Sequence, residues 1–240
     1  GTTVTVHALF RRVPARLKFL KSPATENRHI ATIFSQYSLS FPEVKFSLSI
    51  DGKTALRTPG SGHLIDSIIG VYGADTARQM LEVNSANDIW EGEMSASSVA
   101  VTGMAGLPTV SRSSRDYLSF FVNRRWINSR MLAWAVEEAY HGLLMTGKHP
   151  VAVINVSLPG REVDINIHPT KSEAKFHRER AVFSTVRNAV RRSLLELAPS
   201  PGIEEAAPRY NAPSAASRTL WTPKPAPHHT ANTQPAAAPP

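Results

Sequence analysis

The stretch DINIHPTKSEAKF, residues 164–176, combines three signals that decide the fold around it. Apolar and polar side chains alternate over residues 163–167, which predicts a half-buried β-strand. His168 and Pro169 end this strand, because proline cannot donate the next hydrogen bond of a β-ladder. Lys171 follows two residues after the proline, so we expect its ammonium group to project from a stiff corner.

Strands and helices alternate on both sides of this stretch. Strands are predicted where side chains alternate or apolar residues cluster, at residues 79–84, 98–105, 117–123, 151–158 and 161–167. Helices are predicted at residues 128–144, with Leu132, Val136, Ala139 and Leu143 on one face, and at 177–197, with Phe183, Val186, Val190 and Leu194. Pro159-Gly160 suits the centre of a type II turn between the last two strands. This order predicts an α+β fold, a sheet with helices packed on one face.

A second set of elements precedes residue 77. Residues 2–10 alternate as a strand, and residues 44–56 predict a hairpin that turns at Asp51-Gly52. Between them, Ser22 is placed to cap a helix, and a buried stripe is predicted from residues at helical spacing, Ile30, Ile33, Phe34 and Tyr37. A short helix is predicted at residues 63–73.

Composition limits the class of protein. Residues 199–240 contain ten of the eighteen prolines and ten alanines, which predicts a disordered Pro/Ala-rich linker. The chain has no cysteine, no apolar run of membrane-span length and no signal-peptide pattern, so we expect a cytoplasmic protein. It starts at Gly1 rather than at a methionine, so we expect it to be a fragment, with a further domain after the linker.

Two groups of basic residues suit anionic partners, in a chain whose net charge is +8. Lysine binds phosphate as a compact charge with three donors, so Lys171 suits a phosphoryl group, and a solvated loop lysine is the alternative. Arginines are dense between residues 112 and 130, where the only acid is Asp116. They suit a phosphate backbone, and a solvated basic face is again the alternative. This group consists of Arg112, Arg115, Arg124, Arg125 and Arg130.

Three segments in a fixed order carry a resemblance to a known family. GTTVTVHALFRRVPARLKFL (residues 1–20), FFVNRRWI (120–127) and VDINIHPTKSEAKF (163–176) are similar to signature segments of the MutL family of DNA mismatch repair proteins. That family belongs to the GHKL ATPases, whose N-terminal half joins an ATP-binding α/β sandwich to a transducer domain of ribosomal-protein-like fold. The resemblance implies the end of the ATPase domain at residues 1–73 and the transducer domain at 77–198, followed by the linker at 199–240.

The resemblance also implies roles for particular residues. Lys171 matches the transducer lysine that reaches the γ-phosphate of ATP, and Gly1 and Thr2 match the last nucleotide-binding motif. Arg125 and Arg130 fall where members of the family contribute to a DNA-binding groove, and Arg124 beside them is predicted to bind DNA as well. The motifs that hold Mg²⁺ and supply the catalytic glutamate are not in this sequence, so we do not expect the fragment to hydrolyse ATP by itself.

The sequence departs from the family signature at two positions. Arg12 replaces an asparagine, and Arg124 replaces the glycine of a VNGR turn, which leaves the type of that turn open. By resemblance, the intact protein is an ATP-dependent clamp that binds DNA non-specifically, works with the mismatch-recognition protein MutS and forms a homodimer. Two alternatives stay open. They are a transducer domain from another GHKL ATPase, such as a type II topoisomerase, and a non-enzymatic basic module that binds nucleic acid.

Overall fold

Helices and strands follow one another along the three segments that the structure, a computed structural model, describes: residues 1–85, 99–164 and 173–196. The helices are α1 (Pro14–Leu17), α2 (Pro23–Ser40), α3 (Leu64–Tyr72), α4 (Ala74–Ala77), α5 (Arg130–Ala139) and α6 (Glu179–Glu196). The strands are β1 (Ser47–Ile50), β2 (Lys53–Arg57), β3 (Met80–Asn84), β4 (Ala100–Gly106), β5 (Leu118–Val122), β6 (Arg125–Ile127), β7 (Ala152–Ser157), β8 (Val163–Asp164) and β9 (Lys175–Phe176). The predicted linker at 199–240 and the predicted strand end at His168-Pro169 lie outside the described residues.

A five-stranded mixed sheet organises these elements, in the order β3-β4-β7-β5-β6. Its neighbouring strands are antiparallel except β5 and β7, which run parallel and are connected through β6 and α5. The predicted α+β fold is therefore confirmed. The sequence located β3, β4, β5 and β7 within two residues and missed β6, which is too short, at three residues, to show alternation.

The sheet buries side chains on both faces. On one face, α5 and α6 pack through the predicted stripes, so that Leu132, Val136, Val186 and Val190 are fully buried. Two residues of the predicted stripes differ: Leu143 is exposed, because α5 ends at Ala139, and Phe183 is only partly buried. On the other face, the end of α2 with α3 and α4 covers apolar residues of the strands. The two helices that follow the sheet strands thus share one face, as predicted, and the earlier helices close the other.

The turn after β7 differs from the prediction. Residues Gly160–Glu162 form a 3₁₀ turn, in which the backbone N–H of Glu162 donates to the carbonyl of Pro159 at 2.9 Å. A type II turn needs a positive φ at its second central residue, and Gly160 does not have one, so the type II prediction is wrong. The next strand, β8, pairs antiparallel with β9 rather than with β7.

The first forty residues match the sequence expectations only in part. Helix α2 begins as predicted, since Pro23 is its first residue and the Ser22 hydroxyl accepts a hydrogen bond from the Thr25 N–H. Its predicted stripe is largely wrong, because Ile30, Ile33 and Tyr37 are 47%, 47% and 56% exposed. The predicted strand at residues 2–10 is also wrong, since none of the described strands pairs with this exposed segment.

The hairpin and the short helix that lead to the sheet form as predicted. Asp51 and Gly52 both have positive φ, at 50° and 76°, which is the type I′ geometry expected between β1 and β2. Helix α3 ends at Tyr72, and Gly73 caps its C-terminus. The domain boundary predicted between residues 73 and 77 falls near the start of α4 and stays a prediction. Residues Gly1–Pro199 belong to one structural unit, which spans this boundary.

Candidate nucleic-acid interface

The turn between β5 and β6 carries two of the predicted DNA-binding arginines. Its central residues, Asn123 and Arg124, have φ values of 48° and 67°, so the hairpin turns through a type I′ geometry. Asn123 suits this geometry, and its side chain is fixed to Leu158, the residue that follows β7. Its side chain donates to the carbonyl of Leu158 at 2.9 Å and accepts from the Leu158 N–H at 3.0 Å. The open question of the turn type is therefore resolved, with an arginine at a position that favours glycine.

Arg124 is held by Ser40, the last residue of α2, and by the segment that follows it. Its Nη2 donates to Oε1 of Glu43 at 2.5 Å, and its Nε donates to the carbonyl of Ser40 at 3.1 Å. The guanidinium carbon lies 4.4 Å from the centre of the Phe41 ring, within the range of a cation–π contact. The backbone also takes part, because the Arg124 N–H donates to Oδ1 of Asn155 at 3.0 Å and its carbonyl accepts from the Ser40 hydroxyl. The hydrogen bond from Arg124 lowers the pKa of Glu43 below its ordinary value.

Arg115 and Arg112 are also engaged within the molecule. Arg115 forms two hydrogen bonds to the carboxylate of Glu137 on α5, at 2.7 and 2.8 Å, and Nδ1 of His149 contacts the same carboxylate at 2.7 Å. Arg112 lies over the Tyr117 ring at 5.1 Å and donates to the Thr76 hydroxyl at 3.1 Å. Both guanidinium groups therefore have partners within the molecule.

Arg125 and Arg130 remain. Both side chains are exposed, and neither forms an ion pair or a hydrogen bond with another side chain in the described segments. Arg125 pairs across the strands with Val122, whose side chain belongs to the core beneath α5, so Arg125 lies on the same face of the sheet as α5. Arg130 is the first residue of α5. We call these two residues the arginine surface.

An aromatic pair close to the arginine surface was missed by the sequence reasoning. Trp134 lies one turn after Arg130 on the same face of α5 and is 63% exposed. Its ring meets that of Phe183 on α6 edge to face, with centroids 5.2 Å apart. The signal was present in the sequence, because Trp134 falls off the stripe formed by Leu132 and Val136.

The predicted nucleotide contacts are not brought together by the described residues. Gly1 and Thr2 are exposed, and a Cβ built at Gly1 meets no atom within 4 Å. Lys171 lies outside the described part of the chain. The three described segments contain no group of three side chains able to bind a metal ion, and none of their helices has the length and hydropathy needed to span a membrane.

A cavity of about 530 Å³ lies on the sheet face opposite α5. Apolar residues of the strands, among them Met104, Phe121 and Val153, line it together with Ser40, Glu43 and Arg124. The contact between Arg124 and the end of α2 therefore borders an open space over the sheet.

Curated proteins from several bacteria match most of this chain. The DNA mismatch repair protein MutL of Desulforudis audaxviator (strain MP104C) is 42% identical over 194 residues, which cover 81% of this chain and 33% of that protein. MutL of Streptococcus sanguinis (strain SK36) is 38% identical over 196 residues, covering 82% and 29%. The chain thus spans about a third of the length of these relatives.

A solved structure and a family match complete the comparison. The crystal structure of the N-terminal domain of a DNA repair protein superposes with a TM-score of 0.59 at 23% identity, covering 78% of this chain and 59% of that one, which supports the fold alone. The family described as "DNA mismatch repair protein, C-terminal domain" matches residues 68–195, more than half of the 240 residues. The chain therefore belongs to this DNA mismatch repair family.

Proposed function

We propose that this chain is part of an ATP-dependent DNA mismatch repair protein and that its arginine surface binds the phosphate backbone of DNA. Family membership favours this interpretation over a topoisomerase transducer or an unrelated basic module. One structural observation carries the DNA contact. Of the five arginines between residues 112 and 130, three are bound to other parts of the molecule, and Arg125 and Arg130 are left exposed in the described structure.

The position of Arg130 supports a role in binding rather than in stability. The N-terminus of a helix carries a partial positive charge, so an arginine in the first turn is unfavourable by about 0.3–1 kcal/mol. Ser129 caps α5 by accepting a hydrogen bond from the Leu132 N–H at 3.2 Å, and the helix does not need Arg130 for this. The partial positive charge of the α5 N-terminus and the guanidinium of Arg130 together favour an anion such as a phosphate group.

The proposed contact does not read sequence. Arginine side chains that project from a short edge strand and a helix end can reach phosphates, whereas base recognition needs side chains placed against base edges in a groove. Binding should therefore be independent of DNA sequence and strongly dependent on salt.

We further propose that ATP and Mg²⁺ act in the intact protein. Gly1, Thr2 and Lys171 would meet the nucleotide, with Lys171 at the γ-phosphate. The described residues do not enclose a nucleotide, because Gly1 and Thr2 are exposed and the described cavity is lined by other residues. The motifs that would hold Mg²⁺ and supply the catalytic glutamate are not in this sequence, so we do not expect this chain to hydrolyse ATP by itself.

The remaining partners follow from the same proposal. The intact protein would receive the mismatch signal from MutS and would form a homodimer, through its N-terminal half when ATP binds and through a further domain. It would act in the cytoplasm, at the bacterial nucleoid during repair. The names of the relatives support these proposals by family membership, because the matched proteins are DNA mismatch repair proteins.

The DNA contact is tested by charge reversal at Arg130. We expect Arg130→Glu in the full chain to weaken binding to duplex DNA equally for unrelated sequences. The slope of log affinity against log salt concentration should become shallower by about 1, because one phosphate contact is lost. Fluorescence anisotropy with two labelled duplexes over a series of salt concentrations measures both quantities.

Arg78→Glu provides the matched control. Arg78 is exposed and pairs with Asp75, so its reversal changes the net charge equally without touching the arginine surface. We expect a smaller loss of affinity and little change of slope. Wild-type affinity and slope in Arg130→Glu, or equal losses in both variants, would refute the proposed contact.

A further inference from the structure

We propose that the ion pair between Arg124 and Glu43 is an autoinhibitory contact, in which Glu43 occupies an arginine that a DNA phosphate otherwise binds. This inference rests on the proposed DNA binding by the neighbouring arginine surface. It concerns how that binding is regulated, and it predicts that DNA and Glu43, in the segment after α2, compete for one guanidinium group.

Position makes the competition possible. Arg124 precedes Arg125 at the tip of the β5–β6 hairpin, so DNA bound at Arg125 lies close to the turn. The side chains of Arg124 and Glu43 are 45% and 50% exposed, which means that an anion can approach the guanidinium without unfolding of the core. Guanidinium groups bind carboxylates and phosphates through the same planar arrangement of donors.

The ion pair between Arg124 and Glu43 can exchange with another anion because both side chains are partly exposed to solvent. Exposed ion pairs contribute little to stability and are screened by salt. A phosphate of DNA is a comparable anion within a highly charged polymer. The free energy of replacing the Glu43 carboxylate by a phosphate should therefore be small. Because the two anions compete for one cation, DNA must weaken the attachment of α2 by the same factor as the attachment weakens DNA binding.

The backbone at Arg124 indicates that this side chain is used. Its φ of 67° lies in the left-handed region, where glycine is free of strain and an arginine is not. A hairpin that needed only to turn would be more stable with glycine. The arginine instead spans 81 residues of sequence to reach Glu43 and also contacts the Ser40 carbonyl and the Phe41 ring.

Release of the Arg124 guanidinium should also affect residues outside the turn. Ser40, Glu43 and Arg124 all line the cavity over the sheet. When the guanidinium leaves Glu43, the segment after α2 loses one of its contacts with the hairpin, while the hydrogen bond from the Ser40 hydroxyl to the Arg124 carbonyl can stay. The adjacent wall of the cavity should therefore loosen. DNA binding on one side of the sheet would thereby change the mobility of the opposite side, at residues 40–44.

The test frees Arg124 by removing the competing charge. We expect Glu43→Gln in the full chain to bind duplex DNA about two- to five-fold more tightly at low salt, which corresponds to the loss of an exposed ion pair. The salt dependence should steepen by about one phosphate contact. The gain should vanish in the double variant Glu43→Gln/Arg124→Gly, where the turn keeps a favourable residue but has no guanidinium.

Asp75→Asn is the matched control. It removes one negative charge and frees Arg78 from a similar exposed pair. An equal gain in this variant would show that net charge alone explains the effect and would overturn the inference. A gain that persists in the double variant, or the absence of a gain in Glu43→Gln, would also overturn it.

A second measurement follows the other partner. Hydrogen exchange at the backbone amides of Ser40, Phe41, Glu43 and Val44 should become faster in the wild-type protein when a saturating DNA duplex is added. Unchanged or slower exchange would contradict the competition. The DNA contact itself fails if Arg130→Glu binds as the wild type does or loses no more affinity than Arg78→Glu. Weakened binding in Arg130→Glu together with no gain in Glu43→Gln refutes the autoinhibition alone.

Discussion

Helices α2 and α5 have apolar residues at the same helical spacing, and they meet different surroundings. In α5, Leu132 and Val136 are 0% exposed, because the sheet and α6 cover them. In α2, Ile30 and Ile33 are 47% exposed, since the described residues do not cover that face, although Phe34 packs edge to face on Phe46 at 5.5 Å. Spacing therefore identifies a helix and its apolar face, while burial depends on a partner that the spacing does not reveal.

The largest loss of stability is expected from adding a methyl group at Gly103, in the sheet that buries α5. This residue lies in β4 with a φ of 149°, and a Cβ there would stand 2.0 Å from the carbonyl oxygen of Val153 in β7. Because the colliding atom belongs to the backbone of the neighbouring strand, the sheet itself must shift. We expect Gly103→Ala to lower the free energy of unfolding by about 4 kcal/mol or more, or to prevent cooperative folding.

Gly52→Ala is the control for this substitution. Gly52 also has a positive φ, of 76°, but no atom lies within 4 Å of its built Cβ. We expect a loss of only about 1 kcal/mol from backbone strain. Urea denaturation followed by circular dichroism measures both variants. Equal losses would show that the approach of β4 to β7 is not as close as the structure indicates.

The next largest effect tests the face that α5 buries. Leu132→Ala removes a fully buried side chain between the sheet and α6, and we expect a loss of about 2–5 kcal/mol in the free energy of unfolding. Urea denaturation gives this value, and the slope with denaturant should stay unchanged. A loss below about 1 kcal/mol would mean that α5 is not packed on the sheet as described.

Local chemistry explains most of what the sequence predicted about the fold. Ser22 and Pro23 start α2 by capping, and Asp51-Gly52 makes a hairpin because both residues accept a positive φ. The stripes of α5 and α6 were also found, because the sheet that covers them belongs to the same chain. Each of these features depends on residues that are near in sequence or on a partner that the pattern also predicts.

The candidate site depended on contacts that the sequence does not encode locally. The arginines of residues 112–130 resembled one basic face because the only acid among them is Asp116. The acids that neutralise Arg115 and Arg124 are Glu137 and Glu43, which lie 22 and 81 residues away. Spacing could not show which arginines remain exposed, so only the structure separates Arg125 and Arg130 from the others. The DNA-binding role predicted for Arg124 stays a prediction.

The buried helix α5 also carries Glu137, whose contacts with Arg115 and His149 should make the free energy of unfolding depend on pH. Partial burial raises the pKa of Glu137, and the hydrogen bonds from Arg115 and His149 lower it by more, so it lies below its ordinary value of 4.5. A carboxyl group with a depressed folded pKa stabilises the protein above its unfolded pKa, and this contribution is lost as pH falls through the folded pKa. We expect Glu137→Gln to cost about 1 kcal/mol at pH 7, since Arg115 is largely exposed.

Unfolding at several pH values tests this expectation. The difference between wild type and Glu137→Gln should shrink below pH 4.5 and disappear once the wild-type carboxyl is protonated. Glu138→Gln is the control, because Glu138 is the adjacent residue of α5 and is exposed. A difference that remains constant through acid pH would show that Glu137 acts through packing rather than charge.

The smallest expected effect lies on the exposed side of the comparison. Ile33→Ala removes nearly the same volume as Leu132→Ala, but from a side chain that is 47% exposed on α2. We expect a change within about 0.5 kcal/mol in the free energy of unfolding, because little apolar area returns to water and alanine favours the helix. Urea denaturation of the two variants side by side gives the ratio directly. A loss for Ile33→Ala close to that for Leu132→Ala would mean that a partner covers α2 in solution. A dependence of that loss on protein concentration would then identify the partner as a second copy of the chain, because association makes stability depend on concentration.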